Sequence, residues 1–108
     1  MIAGGSGIAP LIGFVRQCRA EGAAFTLLYS TRTDEQCYRD ELSPLPGETI
    51  AIRLTDKEDR FTYDDIAESV LSTSTVLLCG SRAFVLAMRE HCERIIPAAQ
   101  LLSEAFSL

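Results

Sequence analysis

Two short turns hold the residues best suited to chemistry. One is Gly4-Gly5-Ser6-Gly7-Ile8-Ala9-Pro10 and the other is Cys79-Gly80-Ser81-Arg82. Each joins an apolar run to a segment of helical spacing. The first turn of a helix offers unpaired N–H groups and a partial positive charge. Glycines in front of it let an anion, above all a pyrophosphate, come close to the backbone. Ser6 adds a hydroxyl donor, and Arg82 adds positive charge from the second turn. Together these residue types describe a phosphate or nucleotide cleft.

The G-x-G-x-x-G dinucleotide fingerprint fits only in part. Gly5-x-Gly7 matches its start, but Pro10 stands where the third glycine belongs. The fingerprint also wants an acid at the tip of the second strand to hold ribose hydroxyls. That tip reads Ser30-Thr31-Arg32, and the first acid is Asp34. A Rossmann dehydrogenase is therefore disfavoured. The cysteines, Cys18, Cys37, Cys79 and Cys92, form no C-x-x-C pair and no iron–sulfur spacing, so they read as reduced, partly buried thiols. His91, the only histidine, lies on a helix away from the two turns and reads as a solvated residue without a role. Asp56, Glu58, Asp59, Asp64 and Asp65 surround a helix start, where acids are favourable. They lack EF-hand spacing, and no metal site is expected.

The elements that position these turns alternate between β-rich runs and helical periods. Met1-Ile2-Ala3 feeds the glycines. Only three residues precede them, fewer than a strand normally has, so the first strand is expected to be truncated relative to a parent protein; a naturally short edge strand is the other reading. A helix is predicted to start at Pro10, with Leu11, Phe14, Val15 and Cys18 on its apolar face and Gly22 as its cap. Residues 25–29 and 50–54 read as strands 2 and 3. A short helix is predicted between them, with Thr33 and Gln36 as its capping box. Thr62 and Asp65 form a second capping box, with Phe61 and Ile66 as a hydrophobic staple. Ile66, Ala67, Val70 and Leu71 are predicted to face the core. Residues 75–79 read as strand 4, ended by Gly80. The helix after it carries Phe84, Val85, Met88, Cys92 and Ile95 on one stripe and stops at Pro97. Residues 100–106 read as strand 5. The expected fold is α/β: a three-layer, doubly wound, five-stranded parallel sheet of order 3-2-1-4-5, with helices on both faces. In such a sheet ligands bind where the strand order reverses, here between strands 1 and 4.

Bulk properties fit this reading. The chain has 108 residues, one domain's length, and its 47% hydrophobic and 23% charged residues are an ordinary globular balance. A formal net charge of −5 disfavours nucleic acid, which needs a basic surface, but not a dinucleotide held by backbone amides. No apolar run is long enough to span a bilayer, and no signal peptide is visible. A cytoplasmic protein that meets no membrane is expected.

The motifs also resemble a known family. Gly4-Gly5-Ser6-Gly7-Ile8-Ala9-Pro10 resembles the G-G-[ST]-G-I-[AT]-P loop of the ferredoxin–NADP reductase superfamily. Leu78-Cys79-Gly80 resembles its C-G-P signature, with Ser81 in place of the usual proline. Tyr29-Ser30-Thr31-Arg32 with Asp40-Glu41-Leu42 resembles the Y-x-x-R…D-E-L stretch of bacterial oxygenase reductases and flavin reductases. Glu104-Ala105-Phe106 resembles the terminal E-x-aromatic, and Arg60 retains half of a Gly-Arg pair. The resemblance implies that Gly5, Ser6, Gly7, Ile8, Ala9 and Pro10 bind the pyrophosphate and nicotinamide side of NAD(P)H. Pro10 also suits helix initiation. It implies that Ser30 and Arg32 hold the adenosine ribose. Arg32 suits a 2′-phosphate, although NADH-using relatives carry an Arg here too. Cys79 would sit beside the hydride-transfer position as a pocket wall, not a nucleophile, with Gly80, Ser81 and Arg82 alongside. Glu104 and Phe106 would approach the flavin; packing of Phe106 in the core is the equal alternative.

The family holds FAD or FMN on a preceding β-barrel with an R-x-Y-[ST] signature, and no such segment occurs in residues 1–108. The implied activity is that of an NAD(P)H-dependent flavin oxidoreductase. This domain would present the nucleotide to flavin on a partner domain, and electrons would pass on to an acceptor protein or small acceptor. Alone, the chain is expected to be inactive. The alternative is a non-catalytic nucleotide-binding or regulatory module without a flavin partner. A receiver-type signalling domain would need acids at the end of strand 1, where this chain has glycines.

Overall fold

In a computed structural model, residues 1–32 and 38–106 are described. They form a five-stranded, all-parallel sheet of order β3-β2-β1-β4-β5. The strands are β1 (Ile2–Gly4), β2 (Phe25–Thr31), β3 (Glu48–Leu54), β4 (Val76–Ser81) and β5 (Leu101–Phe106). The helices are α1 (Ile8–Glu21), α2 (Tyr63–Ser69) and α3 (Arg82–Glu93), with 3-10 turns at Gly5–Gly7 and Ala98–Gln100. Strand order and parallel pairing agree with the sequence reading.

Strand side chains alternate between sheet faces, and the core divides accordingly. Ile2, Leu28 and Leu78 face one side, against Phe61, Ile66, Met88, Cys92 and Ile96. Ala3, Leu27, Tyr29 and Cys79 face the other, against Ile8, Leu11, Ile12 and Val15 of α1. Helices therefore cover both faces, α1 on one and α2 with α3 on the other.

Several boundaries differ from the sequence reading. Helix α1 begins at Ile8, not Pro10. Pro10 sits in the first turn, where its missing N–H costs no intrahelical bond. Ile8, Leu11, Ile12 and Val15 form its buried stripe, and Phe14 is 46% exposed. Gly22 closes α1 in the left-handed conformation, φ 67°, as its cap. Helix α2 stops at Ser69, so Leu71 lies outside it and is 68% exposed; Ala67 is exposed as well. Strand β4 continues through Gly80 to Ser81, which caps α3 by accepting a hydrogen bond from Phe84 N–H. The Thr33–Gln36 helix and Cys37 lie outside the described residues. His91 is half-buried rather than solvated. Its ring lies 6.1 Å from that of Tyr63, and its Nδ1 is buried without a hydrogen-bond partner among the described residues.

The Thr62/Asp65 capping box forms in full. Asp65 N–H donates to Thr62 Oγ1, and Thr62 N–H donates to the Asp65 carboxylate at 2.8 Å. Arg53 of β3 adds a 3.2 Å ion pair to Asp65, and its guanidinium lies 4.8 Å above the Phe61 ring. The Thr62 N–H, Thr62 hydroxyl and Arg53 together hold the Asp65 carboxyl below its ordinary range.

Candidate functional site

The carboxyl ends of the strands build the site. On the face toward α2 and α3, each inner strand changes from large apolar to small. β1 goes from Ile2 to Gly4, β2 from Leu28 to Ser30, and β4 from Leu78 to Gly80. The change opens a cleft of about 330 Å³. Its rim comes from four chain segments: Gly4-Gly5-Ser6, Ser30-Thr31-Arg32, Thr55 with Arg60 and Phe61, and Ser81 with the start of α3. A small-molecule site commonly has this size and this mostly apolar lining with a few converging polar groups.

The two glycine turns meet through backbone. A Cβ built on Gly7 would lie 2.2 Å from the Cys79 carbonyl oxygen and 2.6 Å from Gly80 N. No side chain fits there, so only glycine allows the first turn to cross the end of β4. Beside this contact the Phe84 ring lies over Gly4 and Gly80, and a Cβ on either would come within 2.6–2.7 Å of it. The space directly between strands 1 and 4 is thus taken up by backbone and the Phe84 ring. The open cleft is displaced toward β2 and β3.

The sequence-predicted residues sort onto two sides. Gly5, Ser6, Ser30, Arg32 and Ser81 line the cleft. Gly7 and Ile8 are buried beneath the turn, and Ala9, Pro10 and Arg82 are exposed at the starts of α1 and α3. The Ser81 hydroxyl is engaged in capping α3. Cys79 alternates to the α1 face, opposite the cleft, and is 2% exposed. Its register partner on β5 is the exposed Glu104. Burial, and then the Glu104 carboxylate, push the Cys79 thiol up, so it is neutral at physiological pH. The Phe106 backbone pairs with Ser81, while its side chain lies outside the described residues.

The loop after β3 was missed by the sequence reading as part of the site. Thr55 N–H donates to Thr31 O at 2.8 Å and Asp56 N–H to Arg32 O at 3.0 Å, so this loop is tied to the tip of β2. Arg53 holds the following turn by donating to the Asp59 carbonyl at 3.2 Å. Arg60 then faces the cleft alongside Arg32, and neither makes an ion pair among the described residues. The signal was present, because strand order 3-2-1-4-5 makes the β2 and β3 tips neighbours.

Residues 1–90 match the family model described as oxidoreductase NAD-binding domain. This chain belongs to that family. It is the NAD-binding domain of the ferredoxin–NADP reductase type that the glycine turns resemble. The crystal structure of an intact type IV self-sufficient cytochrome P450 monooxygenase has the same fold, with a TM-score of 0.80 at 23% identity. That alignment covers 98% of this chain and 14% of that one, so the NAD-binding domain corresponds to a small part of the longer protein. A search of curated proteins returned no match. No helix among the described residues of the domain is long and apolar enough to cross a membrane.

The site fits a pyridine dinucleotide. Gly5, at φ 54°, has open space where a Cβ would stand, and α1 starts without a side-chain cap or an acid in its first turn. Both features suit an anion lying against backbone.

Proposed function

We propose that this domain binds NAD(P)H along the carboxyl edge of its sheet and presents the nicotinamide to a flavin, FAD or FMN, carried by a partner domain. The observation that carries the proposal is the glycine crossing. Gly7 lies on the Cys79–Gly80 backbone, which sets Gly5 and Ser6 on the rim of a cleft lined by Arg32 and Arg60, neither of them in an ion pair among the described residues.

The residues divide the work. Ser30, Arg32 and Arg60 hold the adenosine end, where a guanidinium suits a 2′-phosphate. Gly5, Ser6 and the start of α1 take the pyrophosphate. Ala9 and Pro10, with Glu104 and Phe106 on β5, lie toward the nicotinamide end, where the Cys79–Gly80 turn walls the pocket. The Cys79 side chain, buried on the α1 face behind this wall, supports it from beneath and makes no nucleophilic attack, in keeping with its raised thiol pKa. The bound nucleotide supplies the hydride, and the chain supplies orientation. Electrons leave the flavin for an acceptor protein or small acceptor.

Titrating the chain with NADPH and NADH tests this. Weak binding of both is expected, with NADPH favoured. Arg32→Ala is expected to weaken NADPH about tenfold, the equivalent of roughly 1.4 kcal/mol, and NADH much less. Binding of neither nucleotide refutes the proposal. Diaphorase activity should be absent in the chain alone; robust turnover with no flavin present contradicts the division of labour.

A further inference from the structure

Arg53 is a charge set beside the cleft without opening into it. It stands opposite Ser30 in the β2–β3 register, so its side chain leaves the sheet on the cleft face. Ser30 lines the cleft and Arg53 does not. The Arg53 guanidinium turns instead to the connection between β3 and α2. Nη1 donates to the Asp59 carbonyl at 3.2 Å and reaches the Arg60 carbonyl at 3.5 Å. Nη2 donates to the Asp65 carboxylate at 3.2 Å. The guanidinium carbon lies 4.8 Å from the centre of the Phe61 ring. One side chain therefore grips Asp59, Arg60, Phe61 and Asp65 together.

Arg60 stands at the centre of this grip. The carbonyls of Asp59 and Arg60 face Arg53, and the next residue, Phe61, is buried under the guanidinium. The Arg60 side chain itself is exposed, lines the cleft and makes no ion pair among the described residues. An arginine on a free loop loses much rotamer and backbone freedom when it closes on an anion. With its backbone held on both sides, Arg60 has less freedom left to lose. Lysine cannot replace Arg53 in this task. Its ammonium is a point charge, not a planar fork that serves carbonyls and a carboxylate while lying on a ring. The charge of Arg53 is balanced locally by Asp65, so it is the grip, not the charge, that serves the cleft.

We propose that Arg53 is a positioning residue: by holding the backbone of Arg60, it sets the preference of the cleft for an adenosine that carries a 2′-phosphate. This role rests on nucleotide binding in the cleft and names the side chain that carries the discrimination and the one that aims it. Arg53 touches no part of the nucleotide and acts through Arg60 alone.

The unaltered chain, Arg53→Lys, Arg60→Ala and the double variant decide it, each titrated with NADPH and NADH below its melting temperature. Arg60→Ala is expected to lower the ratio of NADPH to NADH affinity about tenfold. Arg53→Lys keeps the charge and loses the fork, and should lower the ratio about fivefold. In the double variant the ratio should match that of Arg60→Ala within about twofold, because Arg53 has nothing left to aim. Arg53→Gln, neutral and shorter, is a second variant expected to behave as Arg53→Lys does. A purely structural Arg53 would lower both affinities together and leave their ratio alone. A direct effect of its charge would survive in Arg53→Lys. Either result, or a double variant whose ratio falls by the product of the two single losses, overturns the role of Arg53 and leaves nucleotide binding standing. Binding of neither nucleotide by the unaltered chain refutes nucleotide binding itself, and this role with it.

Discussion

At the scale of single residues, the site depends on atoms that are missing. Gly7 has no room for a methyl group, because its surroundings are the Cys79 and Gly80 backbone and cannot rotate away. Gly7→Ala is expected to cost on the order of 1–3 kcal/mol, the usual range for overpacking, and to lower the melting temperature accordingly. Gly4 is different, since its neighbour is the Phe84 side chain. Gly4→Ala should also destabilise, but less so in a Phe84→Ala background. A double-mutant cycle in the melting temperature should show that coupling; strict additivity would mean that the ring does not cover Gly4. Cys79 gives a chemical readout. Buried, facing α1 and raised in pKa, it should resist alkylation of the native protein at pH 7.5, with mass spectrometry locating the label on the half-buried Cys18 ahead of Cys79.

At the scale of elements, one anchor holds the cleft rim from outside it, and another ties the opposite end of the sheet. The first is the capping box of α2, which fixes the segment carrying Arg60 and Phe61. Thr62→Ala removes the acceptor for Asp65 N–H and should cost about 1 kcal/mol. It should also weaken NADPH binding, because the rim moves with the helix start; calorimetry of the variant would show both effects. The second joins the end of α1 to the entry of β3. Arg19 donates to both Glu48 carboxylate oxygens, at 2.9 and 2.8 Å, and to the Glu41 and Ser43 carbonyls. The Arg19 guanidinium holds the nearly buried Glu48 carboxyl below the usual carboxylate range. A carboxyl depressed in the folded state stabilises the fold above its unfolded pKa and loses that contribution as pH falls through the folded value. Acid unfolding should therefore set in at higher pH, with a shallower limb, in Glu48→Gln, as followed by circular dichroism. Of these anchors, the capping box was legible because its signal is local: a threonine, an acid three residues on, and an apolar pair around them. The Arg19–Glu48 tie was not, because it joins residues 29 apart in sequence whose types alone point only to solvated charge.

At the scale of the whole molecule, the order of strands was readable because β-α alternation, short connections and glycine turns leave few ways to wind a parallel sheet. The position of the cleft was less so. The turns after β1 and β4 drew attention to each other, yet their contact is closed by backbone and by the Phe84 ring. What opens is the neighbouring space toward β2 and β3, where Thr55, Arg60 and Phe61 arrive from a distant part of the chain. The alternation of Leu28 with Ser30, and of Ile2 with Gly4, held that information as a change of side-chain size along one sheet face. The same alternation divides the proposed nucleotide site into unequal halves. The proposed adenosine end lies in a formed cleft with two arginines that make no ion pair among the described residues, whereas Cys79 is covered and Glu104 stands on an exposed edge strand. Adenosine 2′,5′-bisphosphate should therefore bind the isolated chain with much of the affinity of NADPH. Nicotinamide mononucleotide should bind undetectably, because under the proposed division of labour the wall that would enclose it belongs to the flavin domain. Amide shifts on titration with each fragment test this: the bisphosphate should move Ser6, Ser30, Arg32 and Arg60. Shifts at Cys79 and Glu104 with the mononucleotide alone would show instead that the nicotinamide pocket is complete without a partner.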